Sequence, residues 1–138
     1  MANPNIINVT SILAGNAGFN LSATATATLI TVATDKILKI NNIVCANVDG
    51  TNAATLDLFV DGMANGGGTT GITVTDGSGA APAGTTIYLA KTVSVPADAS
   101  LVILDAPIYL MEGDILKGGA SAASDLDLFV SYEVMDDA

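Results

Sequence analysis

The 138 residues suffice for one domain, and 14 acidic side chains stand against four lysines, with no arginine and no histidine, for a net charge of -10. That balance argues against nucleic acid, whose binding needs cations to displace counterions from phosphates, and against an anionic membrane surface. Without histidine the default general base, the Ser-His pair and the imidazole metal ligand are missing, so the chain is expected to be no enzyme and to carry no cofactor or metal.

Apolar and polar residues alternate along most of the chain, and no stretch sustains a helical stripe. The expected strands are 6–13, 23–32, 36–48, 54–61, 72–75, 86–95, 101–105, 108–110 and 126–134. Turn residues separate them at Asp49-Gly50-Thr51-Asn52, Asp61-Gly62, Asp76-Gly77, Pro96-Ala97-Asp98 and Glu112-Gly113-Asp114. Many short strands without intervening helices predict an all-β fold, an antiparallel β-sandwich of jelly-roll type, over residues 1–138 as one domain. Residues 1–15 read as an N-terminal arm whose Ile6-Ile7 and Ile12-Leu13 pairs need an apolar partner. Residues 62–84, rich in Gly, Ala and Thr, read as a mobile loop that either orders on a partner or stays a disordered surface loop. No secretory leader is expected, and the most apolar run, 101–111, is broken by Asp105 and Pro107 and too short to cross a bilayer.

Alternation over 36–48 places Leu38, Ile40, Val44, Ala46 and Val48 on the core face, with Ile37, Ile43 and Cys45 opposite. A lone cysteine forms no internal disulfide; Cys45 is expected as a small buried hydrophobe, the alternatives being a reactive thiol or a link to another chain. The pentapeptide Leu-Asp-Leu-Phe-Val occurs at 56–60 and again at 126–130. Both copies send Leu, Leu and Val inward and leave Phe59 and Phe129 on the other face. There they are either covered or part of an apolar contact patch rimmed by carboxylates.

Chemical motifs are sparse. The glycine run 66–71 lacks the Gly-Lys-Ser/Thr ending of a phosphate cradle. Asp49, Asn52, Asp57 and Asp61 supply oxygen ligands around one expected hairpin, the place where calcium would bind, but ordinary turn chemistry is the expected account of them.

The last third of the chain carries the strongest pattern. Residues 107–114, Pro-Ile-Tyr-Leu-Met-Glu-Gly-Asp, lead through a small-residue connector around Gly118 to the long alternating strand from Ala122-Ala123-Ser124-Asp125 to Glu133, read as a closing hairpin. This order, together with residues 36–48, resembles the small β-sandwich virion proteins of tailed phages, especially the capsid decoration, or cement, proteins of marine cyanophages. The resemblance covers 36–48 and 93–133 most closely. It implies a protein made in the host cytoplasm and carried on the capsid exterior, where it binds the major capsid protein and stabilises the shell as a homo-oligomer, a trimer near a three-fold position. The expected contact residues are Ile6, Ile7, Ile12, Leu13, Phe59 and Phe129. The alternative is a receptor- or carbohydrate-binding sandwich of a tail or fibre, which would display exposed aromatics near its loops.

Overall fold

The computed structural model describes residues 8–63 and 86–136. Nine strands occupy them: β1 (Ser11–Asn20), β2 (Thr28–Thr31), β3 (Lys36–Asn47), β4 (Ala54–Asp61), β5 (Ile87–Val95), β6 (Ser100–Leu104), β7 (Ile108–Leu110), β8 (Ile115–Ala120) and β9 (Leu126–Asp136). They form two antiparallel sheets. One runs β1-β9-β3-β6 with β7 also on β3, and the other runs β2-β8-β4-β5. The pairings nest around the β4–β5 pair: β3 takes β6 and β7, β2 takes β8, and β1 takes β9. The chain is thus one long antiparallel ribbon folded over itself into an all-β sandwich. Its inner faces share one core, in which Ile40, Ile43, Leu56, Leu58, Leu116, Leu126 and Leu128 are fully buried.

Local chemistry accounts for the strand ends. Asp105-Ala106-Pro107 separates β6 from β7, because proline cannot donate to the ladder. The two short strands then share one edge of β3, β6 along Ile43–Ala46 and β7 along Leu38–Ile40. Between β7 and β8, Gly113 adopts φ +84° and donates its N–H to Val32 O at 3.0 Å. Asp114 is buried there, its carboxylate accepting the Met111 N–H at 2.9 Å. Burial raises its carboxyl above the ordinary range, and the Met111 hydrogen bond opposes that rise only in part.

Several expectations need correcting. The closing hairpin is not formed: β7 pairs with β3, and the small-residue connector is itself a strand, β8, at the centre of the other sheet. Gly118 faces Leu58 so closely that a Cβ would collide with Asp57 O, and one on Gly119 would lie 2.5 Å from Thr24 O. The glycines that weaken a strand signal are what admit this strand between its neighbours. The first strand is 11–20 instead of 6–13, so Ser11–Gly15 belong to the sheet and not to an arm. Of the expected strand 23–32, only Thr28–Thr31 is regular, while Ala27 and Ser22 accept hydrogen bonds from β8 farther along. The expected strand 72–75, and all of the loop 62–84 beyond Met63, lie outside the described residues.

One strained residue sits in β5. Thr92 has φ +52°, where a β-branched side chain is disfavoured, and Asp57 holds it by accepting its N–H at 2.7 Å. Replacing Thr92 by glycine relieves that strain and keeps the backbone hydrogen bond. Thr92→Gly is expected to stabilise the fold by about 0.5–1 kcal/mol, after the entropy cost of glycine, read as a higher urea midpoint at unchanged m-value.

Candidate functional site

Strand β3 decides which side chains reach the surface. Its pairing with β9 slips between Ile40 and Asn42, leaving Asn41 as a bulge. Leu38 and Ile40 face the core before the slip; Ile43 and Cys45 face it afterwards. The expected assignment therefore holds up to Ile40 and inverts beyond it, because a one-residue insertion swaps the faces of everything that follows. Val44 and Ala46 turn outward, and Val48 stands exposed past the strand end. The polar pair Asn41-Asn42 inside an apolar alternation is the sequence signal for this bulge.

The inversion builds a surface feature. Register aligns Gly18 of β1, Phe129 of β9, Val44 of β3 and Val102 of β6 side by side across the outer face of the larger sheet. Phe129 is 48% exposed and Val102 62%. A Cβ on Gly18 would meet nothing within 4 Å, so the row contains a dent beside Phe129, part of a shallow depression of about 370 Å³. Polar neighbours bound the row. On one side Asn20 donates to Asp127 at 2.6 Å; on the other Asn16, Ser131 and Asn42 align.

The two pentapeptide copies part company here. All six inward Leu and Val side chains are buried as expected. Phe59, however, is only 4% exposed, with its ring 5.3 Å from that of Tyr88, and it is no surface contact residue. Ile12 and Leu13, at 62% and 61% exposure, stand on β1. Ile6 and Ile7 lie outside the described residues. Gly18, Val44 and Val102 belong to the surface feature and were not among the expected contacts, since only the register across four strands brings them together.

Charge is distributed unevenly. Each of the four lysines is engaged: Lys36 with Asp136, Lys39 with Glu133 at 3.5 Å, Lys117 with Asp61 at 2.8 Å, and Lys91 over the Tyr88 ring at 4.3 Å. The oxygen donors expected around one hairpin are spread along β4, with Asp49 and Asn52 before it, Asp57 in its middle and Asp61 at its end. Asp49 binds the Thr51 N–H and the Asn52 amide, which lower its carboxyl. Asp61 is lowered by Lys117 and the Gly62 N–H. Among the described residues no three acidic or sulfur ligands come together as a metal site would require.

Cys45 is wholly buried, and its thiol is pushed up to about 11, chiefly by burial and further by the charge of Asp127. It behaves as a small core hydrophobe. A thiol reagent at pH 8 is expected to label the native protein at least about a hundredfold more slowly than the urea-unfolded chain, since labelling must wait for opening of the core. Rapid labelling of the native protein would contradict this. A second cleft, of about 190 Å³, opens between the sheets at Ile30, Lys36, Leu38 and Tyr132, below the usual size of a small-molecule site.

In comparisons with known proteins, the chain matches no family model, no curated protein and no solved structure.

Proposed function

We propose that this protein is a capsid decoration protein of a tailed phage, a β-sandwich that adheres to the outer surface of the shell, binds its major capsid protein and holds neighbouring subunits together. The observation that carries this reading is the exposed row of Phe129, Val44 and Val102 around the dent at Gly18, an apolar strip flanked on both sides by polar residues. Such a strip rimmed by polar groups suits the core of a protein contact. The resemblance in residues 36–48 and 93–133 supplies the kind of partner. The nested strand pairings favour a jelly-roll winding for the sandwich. Many copies, each with a modest contact, resist shell rupture together, because subunits cannot part without breaking all of them.

The tail or fibre reading has less support. Tyr88 and Tyr109 are exposed, but they lie on different sheets and form no common stacking platform for a sugar.

The test is cosedimentation with capsids of the cognate phage that lack the protein, followed by heating. Saturable binding and a raised disruption temperature are expected, with Phe129→Asp weakening binding at least about tenfold while the urea midpoint stays close to wild type. Absence of binding by the folded wild-type protein would refute the capsid reading.

A further inference from the structure

The two sheets have four edges, and three of them are blocked. Strand β2 has four residues and a register slip; β5 has two slips, Lys91 and the strained Thr92; the β6–β7 edge is interrupted at Asp105-Ala106-Pro107. These are the devices that keep an edge from recruiting another strand. Strand β1 has none of them. Its ten residues pair with β9 without a slip and include no charge and no proline. Leu21 donates to Leu126 directly opposite at 2.8 Å, which sets the alternation of the ladder. Odd-numbered residues of β1 bond to β9, and the N–H and C=O groups of Ile12, Ala14, Asn16, Gly18 and Asn20 point to the edge that no other described strand occupies.

From this geometry we infer that the β1 edge pairs with β1 of a second copy of this chain, antiparallel about a two-fold axis, joining the two larger sheets. A strand that pairs with its own equivalent is isologous and closes as a dimer, in place of the trimer implied by the resemblance. Two copies of charge -10 repel, yet the described residues along this edge add little to that repulsion. Strand β1 is uncharged, and the carboxylates on the neighbouring β9 are each bonded, Asp127 to Asn20, Glu133 to Lys39 and Asp136 to Lys36. The other described acids lie in connections or on β4 of the opposite sheet.

Side chains select the register. Centring the two-fold on Gly15 sets Ile12 opposite Gly18 of the second copy and Leu13 opposite its Ala17. Each exposed Ile12 then enters the dent beside Phe129, and the pairing is made twice. A contact of one strand edge falls in the small, reversible class of interfaces, so the dimer is concentration-dependent. This inference is independent of any capsid and is tested on the protein alone.

Sedimentation equilibrium of the full chain over micromolar to millimolar concentration is expected to show a monomer–dimer equilibrium. Asn16→Pro removes an edge-facing N–H that serves no ladder among the described strands. Gly18→Lys fills the dent from a position where a Cβ meets nothing within 4 Å. Either substitution is expected to raise the dissociation constant at least tenfold. Mixed Ile12→Cys and Gly18→Cys chains are expected to crosslink to each other on oxidation, as opposed Cα atoms lie within disulfide reach while Cys45 stays buried. A wild-type chain monomeric throughout the range, a dimer unaffected by both substitutions, or the absence of that mixed crosslink would each overturn the inference.

Discussion

Gly118→Ala is expected to destabilise the protein by about 3 kcal/mol or more, while Gly18→Ala leaves stability within about 0.5 kcal/mol of wild type or slightly raises it. Both glycines lie within strands, so propensity alone predicts a small gain for each. At Gly118 the new methyl would collide with Asp57 O and lie 3.1 Å from the Leu58 side chain, between two hydrogen-bonded strands that cannot separate without losing their ladder. At Gly18 it meets nothing within 4 Å. Urea denaturation of the two variants beside wild type gives the comparison directly. Equal midpoints would mean that β8 does not run pressed against β4 as described.

Asn47→Ala is expected to cost about 3 kcal/mol. The Asn47 side chain is buried at the end of β3 and makes three bonds: its amide donates to Asn52 O and to Val95 O, both at 2.9 Å, and its carbonyl accepts the Asp49 N–H at 2.8 Å. It thereby ties the β3–β4 turn to the end of β5 across the sandwich. Truncation removes all three bonds and leaves the Val95 carbonyl buried without that partner, and an orphaned buried group costs about 1–3 kcal/mol by itself. Asn47→Asp discriminates further, since an ionised carboxylate would face two carbonyl oxygens and accept where a donor is required. Its destabilisation is expected to be larger at pH 7 than at pH 4, where protonation restores a donor. Hydrogen exchange should show fraying concentrated in residues 48–53 and around Val95. A loss below about 1 kcal/mol for Asn47→Ala would show that the turn is held by other contacts.

The acidic turns respond to pH in opposite senses. Asp61, whose carboxyl is lowered by Lys117 and Gly62, contributes stability above the unfolded carboxylate range, and this is lost as pH falls through its folded value. Asp114, raised by burial, favours the fold at low pH and loses that contribution as pH rises through its folded value.

How far the sequence is legible depends on the range over which the relevant physics acts. Strands β4 and β7 have the expected limits, and β3 and β5 differ by one residue, because alternation and flanking turn residues are local properties of the chain. The inward Leu, Leu and Val of both pentapeptides follow from the same alternation. Strand β8 was hidden because Lys-Gly-Gly-Ala has little β propensity; its glycines answer to the backbones of Asp57 and Thr24, remote in sequence. The candidate surface was only partly visible. Ile12, Leu13 and Phe129 are exposed, whereas Phe59, within an identical pentapeptide, is covered on its outer face.

By itself, then, the sequence determined the all-β class, the absence of imidazole chemistry and the lopsided charge, which composition and nearest-neighbour alternation suffice to specify. Only the tertiary structure decided which faces of β3 are buried, which pentapeptide phenylalanine reaches water, and which edge has no neighbour among the described strands. Those outcomes depend on a single bulged residue at Asn41 and on strands paired across more than a hundred positions of chain, and no local pattern records such pairings.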